Sequence, residues 1–271
     1  MNDRAGKIGS DGSFEIAGVP SGTYEIRVRQ GLPPINLGSV EVRVGDRDVE
    51  DVSIQLIPPR SLKGVIQIEE GSLKLAGLTI RLSSFEPSSE AQSVSRADGT
   101  FDFPLLGSER YRVIVEDNSG NGFYLKQIRY GDAVSNDGTI SLTGANGTLV
   151  LLLSTRGARL TGTAMSRATD EKSKSAVPKP QVVLIGGAMP ARLGTFDQTG
   201  TFAFQGLEPG LYSLYAFEGV PDGAWEDSDF LKELLGAGME IHLAEGEVKS
   251  VDVSVISKSD VAPTLKKLGM E

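Results

Sequence analysis

The sequence predicts an all-β protein made of β-sandwiches in tandem, and three observations predict it. A motif recurs three times without a gap, at residues 11–28 (DGSFEIAGVPSGTYEIRV), 98–115 (DGTFDFPLLGSERYRVIV) and 199–216 (TGTFAFQGLEPGLYSLYA). Self-similarity of this kind marks repeated structural units. The chain also holds 33 Gly and 13 Pro among 271 residues while 39% of it is hydrophobic. That is too apolar for a disordered chain and too rich in turn formers for a helical bundle. Finally, short alternating runs bounded by turn residues recur at roughly the 8–12-residue spacing of a sandwich.

The repeat can be read element by element. Counting from the shared glycine (Gly12, Gly99, Gly200), a Phe stands at plus two (Phe14, Phe101, Phe202) and apolar residues at plus four (Ile16, Phe103, Phe204) and plus seven (Val19, Leu106, Leu207). Tyr stands at plus twelve (Tyr24, Tyr111, Tyr212), with apolar residues two and four further on. Asp-Gly or Thr-Gly before an alternating run is a hairpin turn, because Gly accepts positive φ without a steric cost. Phe and the apolar residue two further on share one face of a strand. A Gly/Pro turn follows (Gly18, Pro20, Gly22; Gly206, Pro209, Gly210), and a second strand begins at the Tyr. In the first copy Tyr24, Ile26 and Val28 face inward while Glu25 and Arg27 face out. The middle copy has Leu105 and Glu109 where the others have Gly, so its turn must differ.

The same context surrounds each copy. A closing strand lies downstream: Val52, Ile54 and Leu56; then residues 149–153; then Val251, Val253 and Val255. Opening strands lie upstream of the second and third copies, at residues 62–68 and 159–164. These place boundaries at Pro58-Pro59 and near Arg156-Gly157, giving units at 1–58, 59–155 and 156–257 and a tail at 258–271. The tail, with Lys266 and Lys267, reads as solvated. In the third unit, Trp225 and an acidic stretch lead into Phe230, Leu231, Leu234 and Leu235, a helical spacing near 228–235 ended by Gly236 and Gly238. Acidic residues in its first turn suit the helix dipole.

The first unit has ten residues ahead of its motif where the others have about forty, so it lacks opening strands. Such a sandwich keeps an unpaired edge and an uncovered core face. The expectation is that the chain is the C-terminal part of a longer protein, with further domains and any export signal upstream. Another chain could also complete the open edge.

The pattern D-G-x-F-x-φ-x-G-φ-x-x-G-x-Y-x-φ-x-φ (φ apolar) resembles the carboxypeptidase regulatory-like domain family, across nearly the whole chain. The resemblance implies a transthyretin-like (prealbumin-like), Ig-like β-sandwich, related to collagen-adhesin B-type repeats and carbohydrate-binding-like folds. Residues 122–134 and 223–255 also resemble large bacterial surface proteins that carry such domains. What the resemblance implies is a non-catalytic, exported module serving as spacer, stabiliser or binding surface, without peptidase activity. The implied location is extracellular, periplasmic or cell-surface.

Composition excludes several classes. With 27 Lys+Arg against 36 Asp+Glu and a formal charge of −9, the chain has no basic footprint for a phosphate backbone, so nucleic acid is not an expected partner. No Cys means no disulfide, thiolate metal site or cysteine nucleophile. No apolar run approaches the roughly 20 residues of a membrane helix. No Gly-rich loop precedes a helix in a strand–helix–strand unit, so no phosphate cradle is expected.

The candidate chemical sites are few. His242 and Glu245 form H-x-x-E, but His242 is the chain's one His and a zinc centre of that kind needs further ligands. The pair reads better as a strand end before the Glu245-Gly246 turn. Without a usable His there is no Ser–His–Asp arrangement either. Residues 117–122 (DNSGNG) imitate the start of a calcium loop, yet the twelfth position is Ile128 and Asp117 follows a strand, so a turn is the better account. A Lys–Asn isopeptide bond, known in collagen-adhesin relatives, would need Lys63 and an Asn on a closing strand; Asn146 lies in the preceding turn. No metal, cofactor or catalytic residue is therefore assigned. Trp225, Tyr215 and Phe217 are the ligand-binding candidates, because exposed aromatics can stack on sugar rings. The competing account packs the short helix onto outward-facing Tyr215 and Phe217. The sequence thus points to a non-enzymatic structural or adhesive spacer, with a carbohydrate-binding accessory module as the alternative. Expected partners are polysaccharide or another cell-surface protein.

Overall fold

The computed structural model describes residues 4–31, 34–85, 90–107, 110–116, 122–142, 147–165, 180–187, 190–234 and 236–270. The fold is all-β. A two-stranded sheet comes first, from β1 (Gly22–Gln30) and β2 (Ile35–Val44). The next nine strands are β3 (Arg60–Ile68), β4 (Thr79–Ser84), β5 (Glu90–Val94), β6 (Thr100–Leu106), β7 (Arg110–Glu116), β8 (Tyr124–Tyr130), β9 (Ala133–Ser135), β10 (Thr139–Ser141) and β11 (Leu149–Ser154). They form two sheets, ordered β10-β7-β4-β5 and β6-β3-β11-β8-β9. Inward residues of both sheets meet in one core that includes Ile80, Leu82, Tyr111, Val113, Phe101, Phe103, Leu149 and Leu151.

The third unit repeats these pairings within a single eight-stranded sheet. It contains β12 (Ala158–Met165), β13 (Gln181–Gly186), β14 (Arg192–Leu193), β15 (Thr195–Phe196), β16 (Thr201–Leu207), β17 (Gly210–Phe217), β18 (Met239–Leu243) and β19 (Val248–Ile256). The closing strand pairs parallel to the opening strand in both units, β11 with β3 and β19 with β12. The Phe strand pairs antiparallel to the opening strand, β6 with β3 and β16 with β12. The Tyr strand pairs with the second opening strand, β7 with β4 and β17 with β13. Where the second unit inserts the β8–β9 hairpin before β10, the third inserts a 3₁₀ turn (Ala224–Glu226) and helix α1 (Ser228–Glu233) before β18.

Each residue type in the motif has a local cause. The turn at its start is the same in all three copies. Gly9, Arg96 and Asp197 each donate their N–H to the carbonyl four residues on, and Gly12, Gly99 and Gly200 donate back to them. The glycine takes positive φ at 85°, 79° and 83°, as an αL residue closing a bulged hairpin loop must. A carboxylate braces each turn. Asp11 accepts from the Ser13 N–H and hydroxyl, and Asp98 likewise from Thr100. In the third copy, where Thr199 replaces that Asp, Asp197 takes over. The motif Phe lies over a glycine of the opening strand, Phe101 opposite Gly64 and Phe202 opposite Gly162, where a Cβ would strike the ring. The motif Tyr is buried and turns its hydroxyl back to the carbonyl four residues upstream, Tyr111 to Gly107 at 3.2 Å and Tyr212 to Glu208 at 2.8 Å.

Three expectations need correction. Val52, Ile54 and Leu56 form no strand, since among the described residues no opening strand lies beside them to pair with, and Phe14 makes a single bridge to Ile8. Residues from Lys258 are not a solvated tail. They form helix α2 (Lys258–Leu268), which buries Val261 and Leu265. Ser257 caps it through a reciprocal box with Asp260, and Gly269 ends it at φ 67°. The third unit therefore carries two helices, not one, and α1 ends at Glu233; Leu235 lies outside the described residues.

Candidate functional site

The place where the chain does something a lone sandwich would not is the joint between the second and third units. β11 ends at Ser154 and β12 begins at Ala158, so the connection is Thr155, Arg156 and Gly157. Every one of these is tied down. The Thr155 hydroxyl donates to the Glu70 carbonyl at 2.9 Å, and the Arg156 carbonyl accepts from Gly246 N–H at 2.7 Å. A Cβ on Gly157 would lie 2.6 Å from the Cα of Gly206. Gly206 itself has φ +62° and lies against the Phe123 backbone, so a side chain there would be strained and would clash. Backbone meets backbone across the joint because glycine stands on both sides.

A charged and hydroxylic network closes over this contact. Glu245, in the turn after β18, accepts from the Tyr124 hydroxyl at 2.8 Å and the Ser154 hydroxyl at 3.3 Å. Its carboxylate lies 3.5 Å from the Lys126 ammonium and 3.8 Å from the Arg156 guanidinium. Lys126 in turn donates to Glu69 at 2.6 Å. Groups from β8, the end of β11 and the linker thus converge on one carboxylate of the third unit. The Tyr124 hydrogen bond, helped by Lys126 and Arg156, outweighs burial and holds the Glu245 carboxyl below its usual range. Burial, then the Glu245 carboxylate, push the Tyr124 phenol up. The hydrogen bond to Glu69 raises Lys126.

The sequence-predicted ligand candidates lie elsewhere and are covered. Trp225 is 4% exposed, Tyr215 6% and Phe217 0%. They form a second core on the outer face of the β13–β17 layer with Val183, Phe230 and Leu234, closed by Val261 and Leu265 of α2. Tyr215 and Phe217 stack 5.5 Å apart, and Phe230 packs on Phe217 at 5.9 Å. None of these three rings keeps an open face for a sugar to stack on.

The remaining candidates separate as well. His242 is exposed on β18, and its carbonyl accepts from Lys249; Glu245 belongs to the joint instead. Among the described residues, no three His, Asp or Glu side chains gather that could hold a metal ion. Residues 117–121 and Asn146 lie outside the described residues, and Lys63 is exposed on β3. A small cleft beside Arg110, Tyr130 and Thr139 has a volume of about 170 Å³, below the roughly 300–1,000 Å³ of small-molecule pockets. Sequence reading missed Tyr124, Lys126, Glu69 and Arg156 as a group, because they meet across a joint. Gly206 was a signal: the motif keeps Gly there in the third copy and Leu105 in the second.

No protein-family model matches the chain, and no curated protein is similar to it in sequence. Among solved structures, the TIE protein of Bacillus anthracis is 14% identical over 92% of this chain and 44% of its own, with a TM-score of 0.27. This chain therefore spans less than half of that protein. GBS52, the minor pilin of Streptococcus agalactiae, is 12% identical over 72% of this chain and 94% of its own, with a TM-score of 0.30. The shaft pilin SpaA of Lactobacillus rhamnosus GG is 13% identical over 72% and 97%, with a TM-score of 0.26. Likeness at this level establishes neither a family nor a shared function.

Proposed function

We propose that the chain is a non-enzymatic spacer of an exported bacterial protein, whose sandwiches hold a fixed distance and angle between whatever lies at their ends. The carrying observation is the joint. A three-residue linker, glycine-to-glycine packing and a multi-partner carboxylate resist bending, and a flexible tether would need none of them. The resemblance of the repeat to carboxypeptidase regulatory-like domains agrees with this reading. Burial of Trp225, Tyr215 and Phe217 removes the observation that favoured carbohydrate binding.

Affinity electrophoresis through gels cast with plant and bacterial polysaccharides tests the reading. Uniform mobility across the panel is expected. Retardation by one polymer would replace the spacer with a binding module.

A further inference from the structure

The eight-stranded sheet of the third unit begins at β14 and ends at β15, and only Gly194 separates those two strands in sequence. One short segment therefore closes the sheet on itself. Its first half pairs with β13, Arg192 opposite Leu184 and Leu193 opposite Val183. Its second half pairs with β16, Thr195 opposite Ala203 and Phe196 opposite Phe202. The crossing is tight. Gly194 donates its N–H to the Val182 carbonyl at 2.8 Å, and a Cβ on it would meet the Phe204 ring at 3.1 Å. This path brings Arg192 to the Gln205-Gly206 end of β16.

That end of β16 is irregular. Ala158 pairs with Leu207 and Leu160 with Phe204, so two steps along β12 match three along β16. The extra residue is a bulge, and a bulge leaves main-chain groups outside the ladder. When enclosed, such groups need partners from elsewhere. Arg192 supplies them. Its Nη2 donates to the Gln205 carbonyl at 2.7 Å and its Nη1 to the Gly206 carbonyl at 3.4 Å, although burial pushes the guanidinium down. Gly206 is also the residue whose backbone lies against Phe123 and Gly157. The guanidinium fork thus holds the peptide on which the joint closes.

We infer that Arg192 is a positioning residue of the joint. Acting through the Gln205 and Gly206 carbonyls, it presents the bulge to the Phe123 backbone and so fixes the angle between the second and third units, a role that rests on the rigid joint proposed above. A guanidinium suits the task because its planar fork reaches two carbonyls at once, where an ammonium is a single point of charge. The bulge itself belongs to the repeat, since Arg60 pairs with Leu106 and Leu62 with Phe103 across Pro104 and Leu105. In that copy Leu105 is 50% exposed, and β5 pairs with β4 along its whole length. The crossing segment with its Arg is what the third unit adds.

Residual dipolar couplings of the backbone amides, read in the whole chain for the second and third units, test this role. The parent is expected to need a single alignment tensor for both units. Arg192→Met keeps an aliphatic stem and removes both donors; each unit is expected to keep its own fold while the shared tensor is lost. Arg192→Lys keeps the charge without the fork and is expected to lose the shared tensor too, so the test stays decisive even where the methionine variant does not fold. A role confined to bracing the third unit would lower that unit's melting temperature and leave the tensor shared. A shared tensor in either folded variant would therefore overturn the inference. Separate tensors in the parent would overturn the rigid joint itself, and the role of Arg192 with it.

Discussion

At the scale of the residue, glycine carries more of this architecture than any charged group. Gly162 lies under the Phe202 ring and against the Val251 carbonyl of β19, so Gly162→Ala must push apart strands on two sides. Overpacking of this kind costs about 1–3 kcal/mol. A matching drop in the melting temperature of the third unit, followed by Trp225 fluorescence, is the expected outcome. Tyr212→Phe should cost less, roughly 1 kcal/mol for one neutral hydrogen bond. The joint has its own pH window. The Glu245 carboxyl is held below its usual range, so its contribution is complete above about pH 4.3 and is lost as pH falls through the lower folded value. The Tyr124 phenol is pushed up, so its contribution is complete below about pH 10 and is lost as pH rises through the raised value. Glu245→Gln should abolish the acid loosening of the joint. It should leave the acid sensitivity of the turns, where hydrogen bonds to Asp11, Asp98 and Asp197 lower those carboxyls. Relaxation-derived tumbling of the two units across pH checks this.

At the scale of the element, the two helices act as a lid that makes a second core. β13 is buried on both faces, with Val182 and Leu184 toward one core and Val183 toward the other. Leu265→Ala in α2 should cost about 2–5 kcal/mol, the range for large-to-small core changes. It should also shift Trp225 emission to the red as water reaches the ring; unchanged emission and stability would mean that α2 does not seal the core. The repeated strands were legible because the motif's period-two alternation survives in every copy, from Phe101 and Phe103 to Leu214 and Ala216. Helix α2 was not read, although the sequence carries Ser257 and Asp260 as a capping box and Val261, Leu265 and Leu268 at helical spacing. Pro263 and the Lys266-Lys267 pair obscured it. Pro263 removes a donor inside the helix, and the lysines belong to the last turn, where they suit its dipole.

At the scale of the molecule, the two connections differ. Leu105 of the second unit stands where Gly206 stands in the third, and it is 50% exposed. Its side chain would occupy the space that the Phe123 backbone takes against Gly206, so the Pro58-Pro59 connection cannot close in the same way. The sandwiches could be read from one chain because their patterns are local. The joint could not, since Glu69, Tyr124, Arg156 and Glu245 come together only after two units have folded and docked.

The absence of cysteine makes the central claim directly measurable. Val94→Cys on β5 and Leu211→Cys on β17, both at exposed positions, accept spin labels without competing thiols. Double electron–electron resonance between them should give one narrow distance distribution that broadens in Gly206→Ala and in Glu245→Gln. A distribution already broad in the parent chain and unmoved by either substitution would contradict the rigid joint, and with it the spacer.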